Sequence, residues 1–323
     1  MKVVALWLAA LMVVVVAAIV TVATVNQRVY GPEKLVEDYF ALLRAGEGER
    51  ALGLVGAEVP AGNAVLLDGD GLKATVAPIS DFHVAETIAL AGGHVEVTTA
   101  YTVDGEEHST VFKLRKTGSD WLFFDRWAFE APQLPVLQVE ADTTNEVLVN
   151  GRKSPLLKGS QRLPTLVPAV VEASYKTKYF EAPAKTRVVD TRLAAEREPL
   201  DLVTQPTQRL VDDIDKQVRA YVDGCADQQV LKPAACPLSY TTNARVSADT
   251  IKWDVVSYPK IDVGAYQGGW VLRPLEVGTR LTLVEQDLMT GALEEKAVTE
   301  TFGFTATLSV GPDSVSVTPV SGD

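Results

Sequence analysis

Apolar and polar positions alternate along the chain with three different rhythms. The first is no rhythm at all: Val3 to Val25 reads VVALWLAALMVVVVAAIVTVATV, without a charge, a proline or a glycine. At 1.5 Å per residue this run makes a helix of roughly 35 Å, enough to cross a hydrocarbon core of about 30 Å. A cleaved signal peptide has a shorter apolar region and a small-x-small site at its end. Here the run is longer and Ala23-Thr24-Val25 is a poor site, so an uncleaved anchor over residues 1–28 is expected. Lys2 before the run and Arg28 after it orient the anchor only slightly. The long region beyond it has no second spanning run, which favours a cytoplasmic N-terminus with the bulk of the chain outside.

A helical rhythm comes next. In YGPEKLVEDYFALLRAGEGERALGLVG, Leu35, Val36, Tyr39, Leu42 and Leu43 recur on one face, with Pro32 and Glu33 suited to the first turn. A short second helix carries Ala51, Leu52 and Val55. The pattern then changes to a period of two. HVEVTTAYTV and STVFKLRK flank the hairpin dipeptide Asp104-Gly105, and WLFFDRWAF follows an expected turn over Thr117–Asp120. Residues 29–131 thus read as an α+β domain. After the stiff connector Ala131–Pro135, residues 132–200 contain no convincing helix. Asn150-Gly151 sits between strand-like runs, and these residues read as a small β-sandwich. From 201 to 323 a helix comes first, with Leu210, Val211, Ile214, Val218, Tyr221 and Val222 on its apolar face and Gly224 at its end. Strands come after it: LSYTTNARV, TRLTLVEQDLM, EKAVTETFGFTATLSV and VSVTPV. The expected fold class is α+β throughout, behind an N-terminal transmembrane helix.

The opening PEKLVEDYFALLRAGEGERALGLV and the closing GSDWLFFDRWAF of the first domain resemble the NTF2-like, cystatin-like domains found outside bacterial membranes. That resemblance implies a cone-shaped sheet around a pocket, used by some members for catalysis and by many for binding. The order VNG, LP, Tyr-Phe and a final strand in the second segment is similar to β-modules of TcaA-type envelope proteins. Together these imply a single-pass envelope protein with a non-catalytic binding, scaffolding or sensing role. The competing expectation is an enzyme with its pocket in the first domain.

Charge narrows the partners. Lysine and arginine number 30 against 42 acidic residues, a net charge of −12. This disfavours nucleic acid, which demands a basic footprint, and a polybasic grip on anionic lipid. Partners consistent with it are the bilayer itself through residues 3–25, cell-wall material, or an envelope protein with a basic surface.

The candidate chemistry is sparse. Cys225 and Cys236 lack histidine neighbours and CxxC spacing, so a disulfide in an oxidising compartment is the natural reading, with a redox pair as the sharper alternative. His83, His94 and His108 each have a carboxylate two residues away: Asp81, Glu96 and Glu106. Two residues apart on a strand share a face, so each pair could form an acid–base dyad. Asp81 and His83 are the best of these because apolar residues surround them, although exposed polar strand faces explain all three. DGDG at 68–71 spaces Asp68 and Asp70 like calcium ligands but lacks the rest of such a loop, and reads as a turn between strands. No metal or cofactor is expected. Trp121, Trp127, Trp253 and Trp270 lie in strand-rich segments, where core packing competes with sugar binding. Tyr266 to Trp270, YQGGW, is the best candidate for an exposed binding loop, with Tyr266 and Trp270 as its contacts.

Overall fold

The computed structural model describes residues 7, 10–21, 30–120, 124–191 and 198–320. Residues 10–21 are helical and exposed. Among the described residues no helix is long and apolar enough to cross a membrane. The rest of the expected span, 3–6, 8–9 and 22–25, lies outside the described residues. The chain is α+β and divides into two compact units: residues 1–174 with 184–202, and residues 175–183 with 203–323.

The first unit opens with α1 (Pro32–Ala45), α2 (Gly48–Val55) and α3 (Gly69–Val76). Proline stands at the first position of α1, and Gly46 closes it in a left-handed conformation, its N–H on the carbonyls of Leu42 and Leu43. The buried face is Val36, Tyr39, Phe40 and Leu43, each side chain stabilising the fold by about 1.5–3 kcal/mol. Phe40 therefore takes a core place that the helical spacing had given to Leu35 and Leu42. Its ring stacks on Phe82 at 3.7 Å.

The DGDG segment is not a turn between strands: it starts α3. An Asp68 oxygen accepts the Gly48 N–H at 2.7 Å, tying α3 to α2. Gly71 is buried, and a Cβ there would stand 1.8 Å from the carbonyl oxygen of Val65. At Gly48 it would stand 1.7 Å from that of Leu67. These glycines allow backbone to approach backbone, a tertiary demand that resembles a loop motif in one dimension. Asp70 faces Lys73 at 3.6 Å and Arg152 at 3.7 Å.

Beyond the helices lies an antiparallel sheet in the order β1-β2-β3-β4, formed by Ser80–Ala89, His94–Val103, Glu106–Asp120 and Phe124–Phe129. Asp104-Gly105 turns β2 into β3, as expected. Thr117–Asp120 does not turn. It belongs to β3, which pairs with β4 as far as Asp120 across a register shift between Lys116 and Gly118. The irregularity leaves Thr117 as the extra residue between paired Lys116 and Gly118 and does not end the strand. Next come β5 (Val136–Glu140), β6 (Glu146–Val149), β7 (Arg152–Pro155), β8 (Ser160–Pro164), β9 (Ala169–Lys176) and β10 (Phe180–Val189). Asn150 and Gly151, with φ of 45° and 75°, form the tight turn between β6 and β7. β6 also pairs with β9, while β5 pairs with β8 and, in parallel, with β11 (Leu200–Asp201). Leu137 and Val139 on β5 and Val147 and Val149 on β6 are buried at alternating positions, whereas Ala169, Val170 and Val171 on β9 are buried in succession.

In the second unit, β12 (Gln205–Pro206) pairs with Glu181 and Phe180 and leads into α4 (Gln208–Ala226). The Thr207 hydroxyl accepts the Leu210 N–H as N-cap. Leu210, Ile214, Val218, Val222 and Cys225 form the buried stripe. The helix runs past Gly224 to Ala226, so Cys225 lies within its last turn rather than beyond it. Disulfide-bonded to Cys236 across a sequence separation of 11, Cys225 is anchored in the core. LSYTTNARV is not a strand as a whole; only β13 (Arg245–Val246) pairs. The strands β14 (Lys252–Ser257), β17 (Leu275–Gln286), β18 (Leu293–Val310) and β19 (Val315–Val320) complete the main sheet. β15 (Val263–Tyr266) and β16 (Gly269–Leu272) form a separate hairpin. Gln217 of α4 secures the edge strand β19, giving its amide N–H to Val315 O and accepting the Val317 N–H, both at 3.1 Å.

Candidate functional site

Asp81 and His83 stand at the start of β1, and both are exposed. Asp81 has a φ of 52°, and the β1–β2 register shifts between Ser80 and His83. Asp81 and His83 still point outward on either side of the inward Phe82, but the irregular backbone does not bring their side chains together. His83 Nδ1 lies 2.7 Å from the backbone carbonyl of Asp81, not from its carboxylate. Between them Phe82 turns inward onto Phe40. Nor do the other near-neighbour pairs meet. His94 Nδ1 lies 2.5 Å from Glu130, just past β4, Glu96 faces Lys113 at 3.6 Å, and the His108 ring stacks on Tyr101 with centroids 5.9 Å apart. Among the described residues no group of three or more His, Cys, Asp or Glu side chains could hold a metal ion.

Tyr266 and Trp270 sit in the β15–β16 hairpin, where Gln267 and Gly268 make a turn with φ of 49° and 76°. Tyr266 is 61% exposed and receives the Gln267 amide at 3.3 Å. Trp270 is half-buried, stacked on Phe180 with centroids 4.7 Å apart and planes 17° apart. The structure thus separates the pair: Trp270 packs within its own unit while Tyr266 faces solvent. Trp253 is buried, its indole N–H donating to Val230 O at 2.9 Å, and Trp127 is half-buried. Trp121 lies outside the described residues.

A cavity of about 270 Å³ within the first unit, walled mainly by apolar side chains, has no counterpart among the sequence motifs. Tyr39, Phe112 and Phe129 meet there in an edge-to-face cluster, with ring centroids 5.6–5.9 Å apart. Tyr39 donates its buried hydroxyl to Val167 O at 2.8 Å. Burial raises the pKa of this phenol, and the hydrogen bond to Val167 opposes the rise only in part. The Ala131–Pro135 connector forms one wall, its two prolines keeping it out of helix and ladder alike. Leu166 and Val167 form another. Polar lining comes from Lys113, Glu130, Gln133, Asp190 and Thr191. Asp190 is 8% exposed, and the Thr191 hydroxyl accepts the Val111 N–H at 2.9 Å.

The volume lies just below the usual range for ligand sites, about 300–1,000 Å³, and the lining follows their usual composition of aromatic and aliphatic walls with a few placed polar groups. An apolar cavity of about 150 Å³ already takes benzene, so this one has room for a ring with a short polar arm. Its lining is drawn from sites as far apart in sequence as residues 39 and 191. Such a set has no spacing, and only faint local signals point to it: the proline-bounded connector and the aromatic residues of β3 and β4.

No protein-family model matches the chain, and no curated protein or solved structure is significantly similar to it.

Proposed function

We propose that this chain is a single-pass, membrane-anchored extracytoplasmic protein that binds a small ligand without transforming it. The apolar cavity of the first unit carries the binding half of this reading. Its walls are mainly rings and aliphatic chains with a few polar groups, and the candidate acid–base residues Asp81 and His83 are exposed and absent from its lining. The anchor through residues 3–25 rests on the uninterrupted apolar run, and the outside location on the Cys225–Cys236 disulfide, which suits an oxidising compartment. The NTF2-like reading of the first domain is supported by helices that precede a four-stranded antiparallel sheet.

The test is saturation-transfer NMR on the full chain in lipid nanodiscs, with benzyl alcohol as a neutral probe and empty nanodiscs subtracted. Binding is expected, with competition between benzyl alcohol and benzene for one site. Absence of any protein-dependent transfer refutes the binding reading. Protease added outside intact cells should remove the region after residue 30. Full protection would refute the proposed orientation.

A further inference from the structure

Among the described residues, one edge of β18 is unpaired over much of its length. The register with β17 runs unbroken from Leu293 to Phe304, and the Asp287 N–H on Ala292 O marks which pairs are hydrogen-bonded. The even-numbered residues of β18 from 294 to 304 therefore aim their N–H and C=O at β17. From Thr305 to Val310 the strand pairs with β19, and the Gly311 N–H on Ser314 O shows that there the odd-numbered residues face the partner. β17 and β19 thus lie on opposite edges of β18. β19 ends at Val320, opposite Thr305. From Leu293 to Gly303 the second edge meets no described strand, and Glu295, Ala297, Thr299 and Thr301 present their backbone groups along it. Such an edge is a template for another strand. At one end of it the β17–β18 hairpin tip holds Leu288, Met289 and Leu293 in solvent, Met289 at 93% exposure. The tip is ordered: the Asp287 carboxylate accepts the Met289 and Thr290 N–H groups at 2.9 and 2.7 Å. At the other end Gly303, Phe304 and Thr305 line a groove of about 500 Å³ with Tyr221, Pro274 and Val320.

We propose that a second copy of this chain takes this edge, β18 pairing antiparallel with its own counterpart about a two-fold axis. Charge selects the register. With Val298 on the axis, Lys296 of each copy stands opposite Glu300 of the other, and no like charges meet. An axis on Ala297 would set Glu294 against Glu300, one on Lys296 or Glu300 would set that residue against itself, and one on Thr299 makes no charge pair. Lys296 already holds Glu285 at 2.6 Å, but its ammonium carries further N–H donors and reaches both carboxylates. These pairs fix the register, while the backbone ladder and the apolar tip supply the attraction. The same register sets Leu293 opposite Gly303 and brings the turn over 287–292 to the Phe304 end of the edge. There the groove of one copy receives Leu288 and Met289 of the other. Each copy gives one tip and one groove, so the assembly closes as a dimer. The inference is independent of the cavity in the first unit.

The experiment places a single thiol on the edge of the full chain, purified in detergent micelles. The two native cysteines are joined to each other, so a cross-link between copies runs through the new residue. Val298→Cys meets its own counterpart in a non-hydrogen-bonded pair with Cα atoms about 4.5 Å apart, inside the disulfide range of about 4.4–6.8 Å. Thr299→Cys faces Ala297 of the other copy, and its own counterpart lies beyond the reach of about 7 Å. Under copper–phenanthroline oxidation, Val298→Cys should form cross-linked dimer at least about tenfold faster than Thr299→Cys. Adding Met289→Asp, a change at an exposed turn, should bring Val298→Cys down to the Thr299→Cys rate. Sedimentation of the native chain should show a dimer that dissociates on dilution. A native chain that is monomeric at every concentration overturns the proposal, whether or not the variants fold. Equal rates from the two thiols, a faster Thr299→Cys, or a Val298→Cys rate unmoved by Met289→Asp also overturns it.

Discussion

Removing the Cys225–Cys236 bond should weaken the second unit by an amount the structure allows to be worked out. The cross-link spans a sequence separation of 11 and joins the last turn of α4 to the segment after it. Loop-closure entropy for a ring of that size amounts to about 9 cal/mol/K, or about 2.8 kcal/mol at 25 °C. The folded loop has further ties. Gln228 accepts the Ala234 N–H at 2.8 Å and donates to Ala234 O at 3.3 Å, and Tyr221 donates to Ala235 O at 2.9 Å. These ties should hold the native arrangement when the sulfurs are separated, so the loss acts chiefly through a freer unfolded chain. The perturbation is Cys225→Ala with Cys236→Ser, compared with the oxidised native chain. In urea the midpoint of the second unit should fall by roughly 1–3 M, taking an m-value of about 1–3 kcal/mol/M. Peptide-resolved hydrogen exchange reads the same effect locally. Protection over Ile214–Val222 should fall about a hundredfold, since about 1.4 kcal/mol is a factor of ten. Peptides from α1 and β2 serve as an internal reference. Unchanged protection in α4, or an equal fall in α1, would refute the reasoning.

Two further outcomes rest on close contacts. Gly71→Ala should destabilise the first unit by about 1–3 kcal/mol or more, because the new Cβ meets the Val65 carbonyl at 1.8 Å and backbone cannot rotate away as a side chain can; a thermal midpoint equal to the native one would contradict the packing described. The Lys296 ammonium, 2.6 Å away, lowers the Glu285 pKa, aided by Thr242 and Tyr240, and the same contact raises that of Lys296. A carboxyl depressed by folding contributes stability above its ordinary value of 4.5 and loses it as pH falls through the folded value. The stability gap between the native chain and Glu285→Gln should therefore be widest near neutrality and close on acidification. Thermal unfolding from about pH 7 to about pH 3 checks this, and a gap that stays constant over that range would refute it.

The elements that were legible in the sequence are those whose signals are local. Val36, Tyr39 and Leu43 on the face of α1, most of the stripe of α4, the Asp104-Gly105 and Asn150-Gly151 turns and the cysteine pair each rest on contacts close in sequence or on one chemical rule. Misreadings arose where a local pattern met a distant neighbour. DGDG looks like a turn, yet Gly71 clears the carbonyl of Val65, and Asp68 receives a backbone N–H from α2. Thr117–Asp120 has turn composition, yet its partners on β4 extend the ladder. Gly224 looks like a helix stop, but the helix continues because Cys225 is held in the core.

By itself the sequence determined the apolar N-terminal run, the α+β class of the region beyond it, the acidic balance and the cysteine pairing. Periodicity, composition and turn chemistry are properties of neighbours along a chain. Tertiary structure alone decided which polar groups face one another. It put His94 on Glu130, exposed Asp81 and His83, packed Trp270 against Phe180, and drew Tyr39, Phe129, Leu166 and Asp190 around one cavity. A cavity is the space left between elements after their apolar faces have met. Its position depends on how those faces are brought together, and no single stretch of the chain encodes it.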